Sequence, residues 1–338
     1  MLKLISHLPE QCQDSYGLGM RSDVEKPAQE IKTIVFAGMG GSSIGAEIVR
    51  VYLQNEISLP IVICRNYTLP NFAGKDTLLF CLSYSGNTEE MLSLFGDAVK
   101  RNAHIITLGS GGKLKEMSMQ HGLKHITIPG GFPPRALVGY MSMTLIAILS
   151  KLGFIKDKAK EVSDLYSVLA DLRDREIGNN IPIQRNLSKA IAKKIHNRFC
   201  VIYGTSDSTE AMSLRWRSQF AENSKNISSS HIFPELTHNE ITGWFFPRRL
   251  LRGAKVIILR DKNDHIRTKM RIELSKGIMQ KAGAEVIQIE RSKGDLLTRM
   301  YSLMYIGDFV SFYLAMLNKV DPTPVEHIEY LKRELAKI

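Results

Sequence analysis

Short runs of β-branched and other apolar residues recur along the chain and alternate with stretches whose apolar positions fall three and four apart. Ile31 to Ala37, Ile61 to Cys64, Leu78 to Leu82, His104 to Leu108 and His125 to Ile128 read as strands. Between them Ile44, Ile48, Val51 and Tyr52 share one helical face, and the window Met91 to Arg101 repeats the pattern, ending in Lys100 and Arg101 as a helix dipole prefers. Thr77 to Leu82 feeds a cluster of hydroxyl residues that opens such a helix. This alternation predicts an α/β fold on a mostly parallel sheet.

From Lys156 to about Ile195 the chain turns charged and helical. Val162, Leu165, Tyr166, Leu169 and Leu172 make one apolar stripe, and Leu187, Ala190, Ile191 and Ile195 another, broken by Gly178-Asn179-Asn180-Ile181-Pro182. The strand pattern then restarts at Phe199 to Tyr203, followed by the small-residue turn Gly204 to Thr209 and by further runs at Ser230 to Phe233, Lys255 to Leu259 and Glu285 to Ile289. That restart reads as a diverged internal duplication. We therefore expect an N-terminal domain over 1–153, connecting helices over 154–195, and a C-terminal domain with a helical tail over 196–338. Leu296 to Leu317 is apolar enough to raise a membrane question, but Arg299, Gly307 and Asp308 interrupt it, so a buried or subunit-interface helix is expected.

Composition narrows the classes. A hydrophobic content of 44% supports packed cores. The four cysteines show no paired spacing, and three lie in strand runs, which reads as buried thiols without disulfides. The start, Met1 to His7, lacks the core and cleavage site of a secretory signal, so the expected compartment is the cytoplasm. The formal charge of +11 is spread over scattered residues without a nucleic-acid motif, and it suits attraction of anionic metabolites; neither nucleic acid nor membrane is expected as a partner. No histidine or cysteine spacing matches a metal site, so no metal is expected.

The candidate chemistry sits where strands end. In Cys81-Leu82-Ser83-Tyr84-Ser85-Gly86-Asn87-Thr88-Glu89-Glu90, three hydroxyls interleave with glycine and asparagine at a helix start, where free backbone amides favour an anion such as a phosphate monoester. The same residues could serve only as helix caps. Gly38-Met39-Gly40-Gly41-Ser42-Ser43-Ile44-Gly45 departs from the dinucleotide spacing G-x-G-x-x-G, and no acidic residue closes the next strand, so it reads as a second anion-facing loop. In Pro129-Gly130-Gly131-Phe132-Pro133-Pro134-Arg135 the arginine is held by prolines ahead of an apolar helix, a preorganised cation. Farther on, Met212, Trp216 and Phe220 form a buried stripe, while Arg215, Gln219 and Glu222 share a polar face on which a surface glutamate is the plain alternative. His238 follows a strand among polar neighbours, where it is either a titrating group or a structural one.

Taken together, GMGGSSIG at 38–45, SYSGNTEE at 83–90, PPR at 133–135, RWRSQFAENSK at 215–225, PELTHNEITGW at 234–244 and VDPTPVEHIEYLK at 320–332 resemble the bifunctional phosphoglucose/phosphomannose isomerase family. The resemblance implies two sugar isomerase (SIS) domains, each a five-stranded parallel-sheet αβα sandwich, with connecting and C-terminal helices, in a homodimer whose active site is shared between subunits. It implies hexose 6-phosphate substrates and no cofactor. Gly41, Ser42, Ser83, Ser85 and Thr88 would hold the phosphate. Glu222 would move the proton between carbons 1 and 2, and Arg135 would stabilise the enediolate. His238 would open the ring, with Lys332 or the nearby Lys319 assisting, and Thr323 would bear on specificity. The rivals are a sugar-phosphate sensor without turnover and an amide-nitrogen transferase on the same fold.

Overall fold

The computed structural model describes residues 1–335 and Lys337. The chain divides into two compact units. The first comprises His7–Ala170 and Lys293–Tyr301. Its strands, β1 (Thr33–Gly38), β2 (Ile61–Cys64), β3 (Thr77–Leu82), β4 (His104–Gly109) and β5 (Lys124–Thr127), all pair in parallel, in the order β2-β1-β3-β4-β5. Each coincides with a predicted run, its ends shifted by a residue or two. The helices of this unit are α1 (Leu8–Arg21), α2 (Gly40–Leu53), α3 (Glu89–Lys100), α4 (Gly112–Gln120), α5 (Val138–Lys151) and most of α6 (Ala159–Leu172).

The strands are uniformly apolar because helices cover both faces of the sheet. On one face Val35, Ala37, Leu79 and Cys81 pack against Met91, Leu94, Phe95 and Ala98 of α3 and Leu114 of α4. On the other, Ile34, Phe36, Leu78 and Phe80 are fully buried, with the Phe36 and Phe80 rings 5.3 Å apart. α2 lies along β1 and β2 and against α5, and α5 against α1. All four cysteines are free and buried, and burial pushes the Cys81 thiol up to about 12.

The second unit comprises Met1–Ser6, Asp171–Ser292 and Ser302–Ile338. After the break at Gly178 to Pro182 come α7 (Leu187–Ile195), β6 (Cys200–Thr205), α8 (Glu210–Ser224), β7 (Ser228–Phe233), β8 (Lys255–Asp261), α9 (Ile266–Lys281), β9 (Glu285–Arg291), α10 (Leu296–Leu317) and α11 (Glu326–Leu335). The order β7-β6-β8-β9, again parallel, repeats that of the first four strands. A fifth strand, implied by the resemblance, is absent among the described residues. Where the first unit runs from β4 through α4 into β5, Ser292 to Asp295 lead straight from β9 into the 22-residue α10, which uses up the chain that a fifth strand would need.

α10 is long and apolar enough to cross a membrane by length and composition, and 83% of its most apolar window is buried inside the chain. Its Asp308 is part of a polar ladder to α8. Arg215 donates from Nη2 to Asp308 Oδ2 at 2.7 Å and from Nε to Oδ1 at 3.0 Å, and Gln219 Nε2 donates to Oδ1 at 2.9 Å. Asn223 continues the row with a 2.9 Å bond to Ser311 Oγ, and Trp216 Nε1 reaches the Leu303 carbonyl at 3.0 Å. The sequence pattern assigned Arg215, Gln219 and Glu222 to one polar face. Arg215 and Gln219 are in fact 3% and 2% exposed, and the buried row proceeds to Asn223, leaving Glu222 half-buried at its flank. Removing Asp308 strands a buried guanidinium. Asp308→Ala is therefore expected to cost about 3–5 kcal/mol in chemical denaturation, and Asp308→Asn, which keeps an acceptor, less.

Candidate active site

β1 and β3 are hydrogen-bonded neighbours, with Gly38 opposite Leu82, although β2 lies between them in sequence. The chain leaves this pair in opposite directions across the sheet, which opens a crevice at the carboxyl ends of the strands, the usual ligand position in such sheets. The two loops singled out in sequence flank it. One runs from Met39 into α2, and the other from Ser83 to Thr88 into α3.

The second loop is built from backbone. Ser83 is buried and donates to Thr88 Oγ1 at 2.9 Å, while exposed Ser85 accepts the Asn87 amide at 3.2 Å. Thr88 occupies the N-cap position of α3, yet it makes no side-chain capping bond, because its hydroxyl is engaged by Ser83. The alternative that these residues serve only as helix caps is therefore not realised by the Thr88 side chain, and the amides of Glu89 and Glu90 begin a helix whose start favours an anion. Gly86, at φ +68°, is where glycine is indispensable: a Cβ there would lie 1.7 Å from the Gly111 carbonyl. Its own carbonyl accepts the Leu114 amide at 2.9 Å, and Asn87 Oδ1 accepts that of Lys113 at 3.0 Å, so the loop is stitched to the start of α4.

Gly41 and the 5%-exposed Ser42 lie in the first turn of α2. A Cβ on Gly41 would be 2.9 Å from the Pro134 carbonyl oxygen and 3.3 Å from the Arg135 amide. Glycine here brings the anion loop onto the 3₁₀ turn Pro134–Ala136, and so beside Arg135, which is 3% exposed. Gly41, Ser42, Ser83, Ser85, Thr88 and Arg135 thus belong to one unit.

The equivalent crevice of the second unit is filled from within. Asp264, 4% exposed, accepts the Thr205 hydroxyl at 2.9 Å and the Asp261 amide at 3.1 Å. Burial pushes its carboxyl above the usual range, against the pull of those two bonds. The duplicated turn kept its hydroxyls but spends two of them, those of Thr205 and Ser208, on an internal acid, so a phosphate would meet like charge there.

Glu222 lies near the end of α8, which terminates at Lys225 in the left-handed conformation at φ +53°. Lys225 Nζ donates to the Glu222 carbonyl at 2.7 Å and to the Pro324 carbonyl at 2.8 Å, and Asn318 Nδ2 donates to the Ser224 carbonyl at 2.9 Å. A cleft of about 660 Å³ results, lined by Glu222, Lys225, Asp321, Pro324 and Glu326 among others. Thr323 sits between lining residues but is exposed, its amide bonded to Asp321 Oδ1 at 2.8 Å. Lys332 is exposed on α11, beyond Ile328 where the lining ends, and Lys319 precedes the cleft at φ +56°. His238 is exposed at the end of the turn Glu235–His238 after β7 and is outside this lining. Sequence reasoning missed Lys225 and Asp321: a left-handed lysine has no local signature, since glycine or asparagine is the usual cue. Among the described residues no group of three or more His, Cys, Asp or Glu could hold a metal ion.

Comparison with known proteins bears on these features. A family model for the bacterial phospho-glucose isomerase C-terminal SIS domain matches residues 184–335. Over all of this chain and 99% of its own length, a bifunctional phosphoglucose/phosphomannose isomerase of Caldicellulosiruptor bescii is 39% identical. The chain belongs to that family. Another bifunctional phosphoglucose/phosphomannose isomerase, from Aquifex aeolicus, is 36% identical over 93% of this chain and 94% of the relative. Among solved structures, a hypothetical protein of Thermus thermophilus superposes with a TM-score of 0.75 over 98% of this chain and 89% of its own, at 13% identity, a likeness of fold.

Two outcomes follow from the site's geometry. Gly86→Ala is expected to cost about 3 kcal/mol and to weaken inorganic phosphate binding at least tenfold, measured by denaturation and calorimetry. For Asp264 the folded pKa is raised, so the stability tied to its proton is complete below the ordinary carboxylate range and is lost as pH rises through the raised value. Asp264→Asn should flatten that part of the profile of Tm against pH.

Proposed function

We propose that this chain interconverts glucose 6-phosphate, and also mannose 6-phosphate, with fructose 6-phosphate by proton transfer through a cis-enediol. The family supports the aldose–ketose isomerase reading, since its members at 39% and 36% identity carry the name of that dual activity. The observation that carries it in this chain is the close approach of Gly41 to the Pro134–Arg135 peptide, which brings the turn bearing the buried Arg135 onto the first of the two loops. A site that only sensed sugar phosphate would need the loops alone.

In this reading Gly41, Ser42, Ser83, Ser85 and Thr88 hold the 6-phosphate, and its binding energy aligns the far end of the sugar. His238, with Lys332 at the ring oxygen, opens the pyranose. Glu222 then removes the proton from carbon 2 of the aldose and returns it to carbon 1, while Arg135 stabilises the charge that develops on the enediolate oxygen. Thr323 bears on whether carbon 2 is reprotonated on one face or both. The active form is a cytoplasmic homodimer in which His238 serves the partner's site. SIS domains over 1–153 and 196–338 are joined by the helices of 154–195. The scheme uses no cofactor and no metal, so a chelator should leave the rate unchanged.

Glu222→Gln is the decisive variant. It is isosteric and should fold, bind phosphosugar and lose turnover by about 10²–10⁴-fold, the usual share of a general base, together with solvent deuterium incorporation at carbon 1 of the fructose 6-phosphate formed. Turnover at the unaltered rate would remove Glu222 from the mechanism. Binding by the unaltered protein with no deuterium incorporated at all would instead leave a sensor.

A further inference from the structure

Tyr84 stands between two of the loop hydroxyls, Ser83 and Ser85, and neither the phosphate scheme nor the family resemblance assigns it a role. It is 8% exposed. Its carbonyl accepts both the Ser110 amide at 2.8 Å and the Ser110 hydroxyl at 2.7 Å, which fixes its main chain to the loop after β4. Its phenol oxygen accepts the Phe132 amide at 2.9 Å, across 48 residues of sequence. Phe132 belongs to the Pro129-Gly130-Gly131-Phe132-Pro133-Pro134 segment that leads into Arg135. In that segment the prolines have no N–H and the glycines no side chain, with Gly131 at φ +85°, so few groups are able to anchor it. Phe132 N–H is one of the few donors, and it is spent on Tyr84.

We propose that Tyr84 is a positioning residue that ties the arginine-bearing segment to the phosphate loop. One side chain then sets the distance between the group that holds the phosphate and the group that stabilises the enediolate. The phenol suits this task because it is rigid beyond its second torsion and reaches a backbone donor from a buried ring. Gly41 sets the other side of the same turn by packing, so Arg135 is approached from both anion loops. Loss of the phenol oxygen would free the Gly-Pro segment to drift, and a misplacement of about 1 Å is enough to cost around 10²-fold in rate.

This inference rests on the reading of Arg135 and of the Ser83 to Thr88 loop given above. Tyr84→Phe deletes one oxygen and keeps the ring, so the fold should persist, checked by near-ultraviolet circular dichroism and by Tm. The expected result is a kcat lowered about tenfold with KM for the hexose 6-phosphate within twofold, because the loop hydroxyls are untouched. In an Arg135→Ala background the same change should have no further effect on kcat, since there is no guanidinium left to position. An unaltered kcat in Tyr84→Phe, or an equal loss in both backgrounds, overturns the proposal while leaving the isomerase reading intact. Full activity in Arg135→Ala by itself overturns the reading beneath it, and the role of Tyr84 with it.

Discussion

The crevice of the first unit depends on one steric constraint, the contact of two backbones at Gly41. Because a Cβ there would lie 2.9 Å from the Pro134 carbonyl, only glycine lets the first turn of α2 lie on the turn that carries Arg135. The consequences run outward. α2 is held at the carboxyl edge of β1, and α5 follows from the turn that carries the buried Arg135 into the core. A cation enclosed in this way loses hydration, which strengthens its interaction with any charge that forms beside it.

The two sheets share an order of strands but have divided the work. In the first unit buried Ser83 donates to Thr88 at the switch point, while the Ser85 hydroxyl is exposed. In the second, Asp264 supplies an anion from the chain itself, and Thr205 and the Asp261 amide close on it. That unit contributes through helices instead. The Arg215–Asp308 pair is bidentate and almost dry, and with Gln219 and Asn223 it fixes α8 in both rotation and height along α10. A purely apolar seam would allow α8 to slide by a turn at modest cost. A ladder of paired donors and acceptors does not, because each step would leave buried groups unpaired.

Much of this was legible in sequence, for physical reasons. The strands were readable because parallel strands buried on both faces are short apolar runs, and β1 to β5 coincide with such runs. The duplication was readable in the restart at Phe199. The missing fifth strand was not, since its absence follows from the length of α10 and not from any breaker. Thr88 has the composition of a cap, and only the position of Ser83 across the loop shows where its hydroxyl goes. Gly41 was legible as a glycine that permits close approach, but a ligand was the assumed neighbour, whereas the structure places the Arg135 turn there. Gln219 and Asp308 are 89 residues apart, and no local pattern reports such a meeting.

The end of α8 shows how a helix terminus can brace the segment that packs against it. Its last carbonyls lack intrahelical partners and must find donors elsewhere. Glycine at the left-handed position would have been the less strained choice, but it carries no donor. Lysine at φ +53° accepts that strain and delivers an ammonium to the Glu222 carbonyl and to Pro324 together, while Asn318 serves the Ser224 carbonyl. Two carbonyls of the last turn thereby become attachment points for the segment from Asn318 to Pro324. Glu222 and the stretch that contains Thr323 consequently share one rigid support, so that a shift of the helix displaces Glu222 and its neighbours together instead of opening the cleft between them.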